Sequence, residues 1–238
     1  MDFLQLWLFT AKSNAGFYSS QFLTFIPYKE LTMRKEYLTV ACEATAELEE
    51  KKSRFIASVK PAATEEEAVQ FIKNLKTKYW DATHNVYAYY IGGGNLSQKF
   101  SDDGEPSGTA GLPVLEAIKK AGLEDVVVVV TRYFGGTLLG AAGLVRAYGK
   151  SASLGIEAAG IVRCRLCFET NISMDYPLLG KVQALTASKK YKIKDTVYAQ
   201  DVNMTIYIPV DEIDGFRALI TEMTNAQVRI DTGEKSYI

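Results

Sequence analysis

Three acidic side chains lie close together in a glycine-rich stretch of the chain. The segment SDDGEPSGTAGLP, residues 101–113, contains Asp102, Asp103 and Glu105 shortly before a predicted helix. Clustered carboxylates can hold Mg²⁺ for phosphoryl transfer or hydrolysis, and a glycine-rich helix start can bind phosphate. Three carboxylates repel a bare phosphate, so a phosphate site here would need a divalent cation or a compensating arginine.

The same segment also suits a purely structural role. Asp103 and Gly104 predict a tight turn, and Ser107 or Thr109 is placed to cap a helix that begins near Ala110. Glycine allows unusual backbone angles and close approach of neighbouring chains. The glycines expected to serve in this way are Gly104, Gly108, Gly111, Gly135, Gly136 and Gly140.

A second glycine-rich stretch, TRYFGGTLLGAAGLVRAY, supplies the arginines. Arg132 ends a valine-rich strand and Arg146 lies in the helix that follows. Adjacent parallel strands would bring their C-terminal loops together, so we expect Arg132 to pair with a loop carboxylate. Three interpretations stay open: a structural lock, an exposed surface that recognises RNA or protein, and a Mg²⁺ site. The sequence has no Walker lysine at the required spacing and no nucleophile elbow.

Histidine and cysteine restrict the chemistry further. His84 is the single histidine, and its place at the start of NVYAYY predicts a packing or hydrogen-bonding role. Three cysteines are too few for a disulfide framework and predict a reduced, cytosolic protein. Cys164 and Cys167 have C-x-x-C spacing within a predicted strand, where they point to opposite faces. We therefore expect buried structural cysteines.

Net charge excludes a global electrostatic attraction to DNA or to an anionic membrane. The formal charge of the 238 residues is -1, so a nucleic-acid role must depend on a local patch. One basic cluster lies at the turn of the first hairpin. A second lies at the start of a C-terminal strand, with Tyr191 and Tyr198 interleaved, and is a candidate sheet surface for RNA.

Hydrophobic periodicity divides the chain into two α+β regions. Residues 37–60 predict an antiparallel hairpin, Thr64 and Glu67 predict a capping box, and DVVVVVTRY predicts a central strand buried on both faces. The order of the first region is β-β-α-β-α-β-α. After residue 165 the order is β-α-β-β-α-β, which is typical of a ferredoxin-like fold, with Asp211 as the expected cap of its second helix.

Residues 1–32 differ from the rest of the chain. FLQLWLF is too short to span a membrane, and no basic region precedes it as in a signal peptide. We interpret these residues as a dispensable extension. The predicted organisation is therefore an extension, 1–32, an N-terminal domain, 33–165, and a C-terminal domain, 166–238.

Four motifs in order make the chain resemble a known family. KKSRFIA, THNVYAYYIG, DDGEPSGTAGLPVLEAI and TRYFGGTLLGAAGLVRAY resemble the bacterial two-domain branch of the IMPACT/YigZ family. The resemblance runs from residue 33 to the C-terminus and does not account for residues 1–32. The matched residues are Lys52, Ser53, Arg54, His84, Asp102, Asp103, Gly104, Glu105, Pro106, Gly108, Thr109, Ala110, Gly111, Arg132, Tyr133, Phe134, Gly135, Gly136 and Gly140.

The resemblance implies a fold and a function. The first domain should resemble the second domain of a small-subunit ribosomal protein and domain IV of elongation factor G, and the ferredoxin-like domain should resemble domain V of that factor. A cytoplasmic, non-enzymatic regulator of translation is implied, with RNA, the ribosome or translation factors as partners. Neither DNA nor a membrane is expected as a partner, and no cofactor, resident metal or catalytic residue is expected.

The expected partner surface combines the basic clusters with the two glycine-rich motifs. Two other functions stay open, a Mg²⁺-dependent enzyme that uses the acidic loop on a small molecule or nucleotide, and a pure protein-interaction module. The candidate surface residues are Lys51, Lys52, Arg54, His84, Asp102, Asp103, Glu105, Thr109, Arg132, Tyr133, Phe134, Arg146, Lys189, Lys190 and Lys192.

Overall fold

The computed structural model describes residues 33–93 and 96–238, and the predicted extension at 1–32 lies outside them. Within these residues the protein is a mixed α+β structure with two sheets. None of the described helices is long and apolar enough to cross a membrane. The strands are β1 (Glu36–Val40), β2 (Ala44–Glu50), β3 (Ser53–Pro61), β4 (His84–Ile91), β5 (Ser97–Ser101), β6 (Val126–Tyr133), β7 (Ile161–Met174), β8 (Lys192–Tyr198), β9 (Val202–Pro209) and β10 (Arg229–Tyr237). The helices are α1 (Glu65–Lys78), α2 (Gly111–Lys120), α3 (Ala141–Ala159), α4 (Tyr176–Ser188) and α5 (Ile213–Met223).

The valine-rich strand β6 lies at the centre of the first sheet. The strand order is β2-β3-β6-β4-β5, and the five valines at 126–130 are fully buried. Even-numbered valines pack with α2 and α3, whereas odd-numbered valines pack with α1 on the opposite face. The predicted central strand is confirmed. The expected parallel neighbours are wrong, because β3 and β4 both pair with β6 in the antiparallel sense. Helices on both faces bury a strand whatever its direction.

Two strands differ from the sequence prediction. Strand β5 is not predicted from the sequence, because SQKFS is short and mostly polar, as edge strands often are. The prediction also joined β1 to the first hairpin, although β1 pairs with β7. The hairpin itself is confirmed between β2 and β3, with Lys51 and Lys52 at its tip. Both lysines have positive φ, 48° and 65°, as the residues of a type I′ turn do.

The second region has the predicted order of elements along the chain, β-α-β-β-α-β, from β7 to β10. Its sheet has the strand order β10-β7-β9-β8 with antiparallel neighbours, and residues of α4 and α5 share one apolar core with this sheet. The long strand β7 pairs with β1 through its first five residues and with β9 and β10 farther along. The predicted boundary near residue 165 therefore lies inside a strand that connects both regions.

Helix starts follow the predicted capping pattern at α1 but not at α5. Thr64 Oγ1 accepts the Glu67 N–H at 3.2 Å, and Glu67 Oε2 accepts the Ala63 N–H at 2.8 Å, which confirms the capping box. The prediction of Asp211 as the α5 cap is wrong. The residue preceding α5 is Glu212, whose side chain makes no cap hydrogen bond, and the Asp211 carboxylate instead lies 3.6 Å from the Arg165 guanidinium.

Candidate recognition surface

The acidic loop begins with the tight turn that the sequence predicts. Asp103 and Gly104 both have positive φ, 49° and 93°, and the Glu105 N–H donates to the Asp102 carbonyl oxygen at 3.0 Å. An Asp-Gly pair suits this turn because both residue types tolerate left-handed angles. After the turn, the carboxylates of Asp102, Asp103 and Glu105 bind three different sets of partners.

Asp102 satisfies the first N–H groups of α2. Its Oδ1 accepts the N–H of Ala110 at 3.0 Å and of Gly111 at 2.8 Å, and its Oδ2 accepts the N–H of Gly108 at 2.9 Å. Burial raises the pKa of Asp102, but the three backbone donors outweigh burial and hold this pKa below its usual value. The carboxylate therefore acts as a charged cap that reaches back from the start of the loop.

The hydroxyls predicted to cap α2 do not do so. The residue that precedes the helix is Ala110, whose side chain cannot form a cap hydrogen bond. The Thr109 hydroxyl donates instead to the Pro106 carbonyl oxygen at 2.7 Å. The prediction of Ser107 or Thr109 as the cap is wrong because Asp102 occupies the donors, and a carboxylate accepts stronger hydrogen bonds than a hydroxyl does. The N-terminus of α2 thus already holds an anion that belongs to the chain.

Glu105 forms a buried ion pair with Arg132. Glu105 Oε1 accepts from Arg132 Nη1 at 2.6 Å and from the Tyr148 hydroxyl at 2.8 Å. The two charged side chains are only 4% and 6% exposed, and Arg132 Nη2 lies 3.3 Å from Ser53 Oγ. Burial and the Glu105 charge raise the pKa of Tyr148 far above its usual value. The predicted pairing of Arg132 with a loop carboxylate is confirmed.

Antiparallel pairing explains how Arg132 reaches the loop. Arg132 lies near the end of β6, directly opposite His84 at the start of β4. His84 Nδ1 lies 2.8 Å from the Asp103 carbonyl oxygen. Asp103 Oδ2 accepts a hydrogen bond from the Asn85 N–H, and Asp103 Oδ1 accepts one from Lys76 Nζ, both at 2.6 Å. The loop is therefore fastened to the start of β4, and the predicted hydrogen-bonding role of His84 is confirmed.

Candidate metal ligands do not converge. The carboxylates of the acidic loop diverge to the α2 backbone, to Lys76 and to Arg132. Within residues 33–93 and 96–238, no three His, Cys, Asp or Glu side chains are placed to hold a metal ion. The expectation that Cys164 and Cys167 are buried is correct for Cys167, whereas Cys164 is half-buried. This geometry gives the magnesium hypothesis no support.

The tip of the β2–β3 hairpin packs against the second glycine-rich segment. The Gly135 N–H donates to Ser53 Oγ at 3.2 Å, and a Cβ on Gly135 would lie 2.0 Å from the carbonyl carbon and oxygen of Lys52. Only glycine allows this approach, which places the Lys52 backbone against the residue that follows Phe134. The other glycines singled out in the sequence have positive φ (Gly104, Gly108, Gly136 and Gly140) or, for Gly111, lie against the Ser101 carbonyl oxygen.

Unpaired cations and an exposed aromatic ring lie around this contact. Lys51, Lys52, Arg146 and Lys150 are exposed, and their side chains have no ion-pair or hydrogen-bond partner in the described part of the chain. Phe134 is 46% exposed, and its ring lies 5.5 Å from the Arg132 guanidinium. We call these five residues, Lys51, Lys52, Phe134, Arg146 and Lys150, the hairpin-tip surface. Lys150 was not among the predicted surface residues, although its place one helical turn after Arg146 puts both on the same face.

Several predicted surface residues have partners within the protein and do not belong to this surface. Arg54 binds both carboxylate oxygens of Glu47, at 2.7 and 2.9 Å, and the Tyr133 hydroxyl donates to Asp81 at 2.8 Å. The others form the network of the acidic loop and are His84, Asp102, Asp103, Glu105, Thr109 and Arg132.

The C-terminal basic cluster keeps one of its two predicted aromatic rings exposed. Lys189 and Lys190 follow α4, whereas Lys192 begins β8. Tyr191, which was expected to face RNA, packs against Phe216 at 5.7 Å between ring centres, and its hydroxyl donates to Glu212 at 2.7 Å. Tyr191 is therefore partly buried against the core, whereas Tyr198, at the end of β8, is 58% exposed.

Comparison with known proteins assigns the two regions to a defined class. Residues 51–156 match the family model of the Impact N-terminal domain, and residues 172–227 match a domain of unknown function, DUF1949. The whole hairpin-tip surface lies within the first match, and the C-terminal basic cluster lies within the second. The fold and both motifs therefore define a two-region protein with an Impact-type first half.

Full-length relatives identify the family. The chain is 43% identical to the IMPACT family member YvyE of Bacillus subtilis over 206 residues, covering 87% of this chain and 95% of that protein. It is 31% identical to the IMPACT family member YigZ of Escherichia coli, covering 82% and 97% of the two chains. A solved structure described as a hypothetical protein is 30% identical, with a TM-score of 0.55 over 85% of this chain. This protein belongs to the IMPACT family.

Proposed function

We propose that the protein is a non-enzymatic, translation-associated regulator in the cytoplasm that binds RNA, the ribosome or a protein of the translation machinery. In this proposal, residues 33–165 form a domain similar to domain IV of elongation factor G. Residues 166–238 form a ferredoxin-like domain similar to domain V of that factor. Family membership supports the proposal.

The hairpin-tip surface is the observation that carries this proposal. Its four cations have no side-chain partner in the described chain, and the exposed Phe134 precedes the glycine that contacts the Lys52 backbone. Lysine and arginine attract the phosphate backbone, and an aromatic ring offers a stacking platform to an unpaired base. The chain as a whole is nearly neutral, so the attraction is local to this surface. These features favour single-stranded or looped RNA.

The acidic loop supports the non-enzymatic part of the proposal. Glu105 is buried against Arg132, Asp102 caps a helix, and Asp103 binds Lys76 and the β4 backbone. Each carboxylate thus stabilises the fold through a partner inside the protein. Residues engaged in this way are poorly placed to receive a substrate or a divalent cation.

Sedimentation with ribosomes over a salt series tests the proposal. We expect the protein to co-sediment at low salt and to dissociate as salt rises, because phosphate contacts release counterions. The double variant K51E/K52E should lose the association. The variant K189E/K190E, which reverses two charges near α4, should keep it. Absence of wild-type co-sedimentation at low salt contradicts the proposal, and equal losses in both variants contradict its assignment to the hairpin-tip surface.

A pure protein-interaction module is the second candidate, and a groove between α2 and α3 favours it. Leu112 and Val145 are exposed there, and small residues such as Ala117 and Gly149 keep the groove open. Association with ribosomes that survives nuclease treatment and persists in K51E/K52E, but is lost on L112E/V145E, would favour this candidate. Loss of association on nuclease treatment would favour RNA.

A further inference from the structure

A small cavity at the hairpin tip collects positive charge. Its volume is about 230 Å³, and Lys51, Arg146 and Lys150 supply three positive groups to its lining. Glu50 is the one acidic residue among the described lining residues, and it forms no ion pair with any of the three. The lining therefore carries a net positive charge that the described chain does not neutralise.

Two elements position these cations. Arg146 and Lys150 are four residues apart and share one face of α3, where Gly143 and Ala147 leave room beside them. Lys51 comes from the hairpin turn, which is seated on Gly135 through the close backbone contact described above. The cavity is thus built between a helix and a braced turn, so its charged groups are brought together by the fold.

Unneutralised like charges at one place oppose the folded state unless an anion binds among them. Lysine and arginine are also the residues with which proteins bind phosphate, arginine as a fork of donors and lysine as a point charge. These two facts indicate an anionic ligand that comes from outside the described chain.

Size selects which anion fits. Sites for drug-sized ligands have volumes of about 300–1,000 Å³, so a cavity of 230 Å³ is too small for a typical whole ligand of that size. A water occupies about 30 Å³, and one phosphate group with a few waters therefore fits. Its several oxygens can accept from more than one of the cations that line the cavity. Phe134 precedes Gly135, which contacts the hairpin tip, and its exposed ring is available to stack on an adjacent base.

We propose that this cavity binds one phosphate group of a bound RNA. The inference rests on the proposed function and deepens it, because it assigns one phosphate contact to three named side chains. A terminal 5′-phosphate and an internal phosphodiester have the same chemistry here. Lys52 and Phe134 then contact the neighbouring part of the strand.

Binding of a fluorescent RNA dodecamer of mixed sequence, measured by anisotropy, tests the assignment. The full chain is compared with K51Q/R146Q/K150Q and with K189Q/K190Q/K192Q, which removes the same number of charges elsewhere. We expect the first variant to bind about tenfold more weakly or worse, because hydrogen bonds to charged groups are strong. The slope of log affinity against log salt concentration should become shallower by about 0.7, because one phosphate contact is lost. The second variant should bind like the wild type.

A parallel measurement uses inorganic phosphate alone. Phosphate should raise the Tm of the wild type more than that of K51Q/R146Q/K150Q, relative to chloride at equal ionic strength. Circular dichroism establishes that both variants are folded. If the wild type does not bind RNA but shows this specific phosphate effect, RNA is overturned as the ligand, both here and in the proposed function, and the cavity remains a site for another phosphate.

The remaining outcomes separate the alternatives. A preference for 5′-phosphorylated over 5′-hydroxyl RNA that disappears in K51Q/R146Q/K150Q assigns the terminal phosphate, whereas equal weakening of both RNAs assigns an internal phosphodiester. RNA binding that is unchanged in this variant overturns the cavity assignment and leaves the proposed function intact. Competition by polyglutamate as effective as competition by RNA overturns the choice of phosphate.

Discussion

The acidic loop and the hairpin-tip surface both come from family motifs, yet they use charge in opposite ways. Asp102, Asp103 and Glu105 each bind a donor inside the protein. The cations at the hairpin tip have no side-chain partner in the described part of the chain. Charges with internal partners stabilise the fold, whereas charges without them are available to a ligand. Pairing, more than residue type, therefore separates a structural motif from a recognition motif.

The largest expected effect is on the buried ion pair. Glu105→Ala leaves the Arg132 charge buried without its partner, and breaking a buried pair in this way costs about 3–5 kcal/mol. We expect a corresponding fall in the free energy of unfolding, measured with urea. Arg54→Ala removes one member of an exposed pair and serves as the control, with little expected change. Equal stability of the two variants would show that Glu105 has no structural role.

Gly135 holds the hairpin-tip surface in place through a packing contact with the Lys52 backbone. Gly135→Ala would put a Cβ 2.0 Å from the Lys52 backbone, and overpacking of this kind typically costs about 1–3 kcal/mol. RNA binding should weaken as the turn moves. Gly149→Ala is the matched control, since its Cβ would lie 3.9 Å from the Pro113 carbonyl oxygen. Because alanine is the better helix former, this control should gain up to about 1 kcal/mol. A stable Gly135→Ala protein with normal RNA binding would contradict the contact.

The contribution of the Asp102 cap to the free energy of unfolding should depend on pH. Asp102→Ala should cost about 0.5–2 kcal/mol near neutral pH, which is the usual effect of losing a cap. The folded pKa of Asp102 lies below its ordinary value of 3.8. The stabilisation is therefore fully present above that value and is lost as pH falls through the folded pKa. Unfolding free energies of wild type and variant should converge in acid, and a constant difference down to the lowest pH would refute a charged cap.

The smallest effect on stability is expected at the hairpin tip. K51Q/K52Q removes two charges that have no internal partner, so the free energy of unfolding should change by less than about 0.5 kcal/mol. The same variant should bind RNA more weakly. Parallel urea denaturation and anisotropy measurements check both statements. A marked loss of stability would place these lysines with the structural charges of the acidic loop and remove the contrast between the two regions.

Strong local patterns made part of the structure predictable from sequence. Five consecutive valines indicated a buried central strand, and alternation around Lys51 and Lys52 indicated a hairpin. The pairing of Arg132 with the acidic loop was also expected, although the prediction assumed parallel strands and the strands are antiparallel. Charge complementarity was sufficient there, because a strand end and a facing loop meet in either sheet geometry.

Features set by distant contacts were not predictable in the same way. Asp102 precedes the helix it caps by too many residues for the usual capping pattern, and only the intervening turn brings it back. Tyr191 looked like a surface aromatic between lysines, but the ring it packs against, Phe216, is remote in sequence. Whether a cation is paired also depends on such contacts, so the hairpin-tip surface emerged only from the folded structure.

The shared strand β7 has a consequence for the order in which the protein folds during synthesis. Val40, on β1, belongs to the core of the first sheet, yet β1 pairs with β7, which follows the last helix of that region. An emerging chain must therefore hold β1 without its strand partner until β7 has left the ribosome. Closing so long a loop is slow, and an unpaired strand is prone to wrong pairing. Completion of the first region thus waits for the strand that also begins the second.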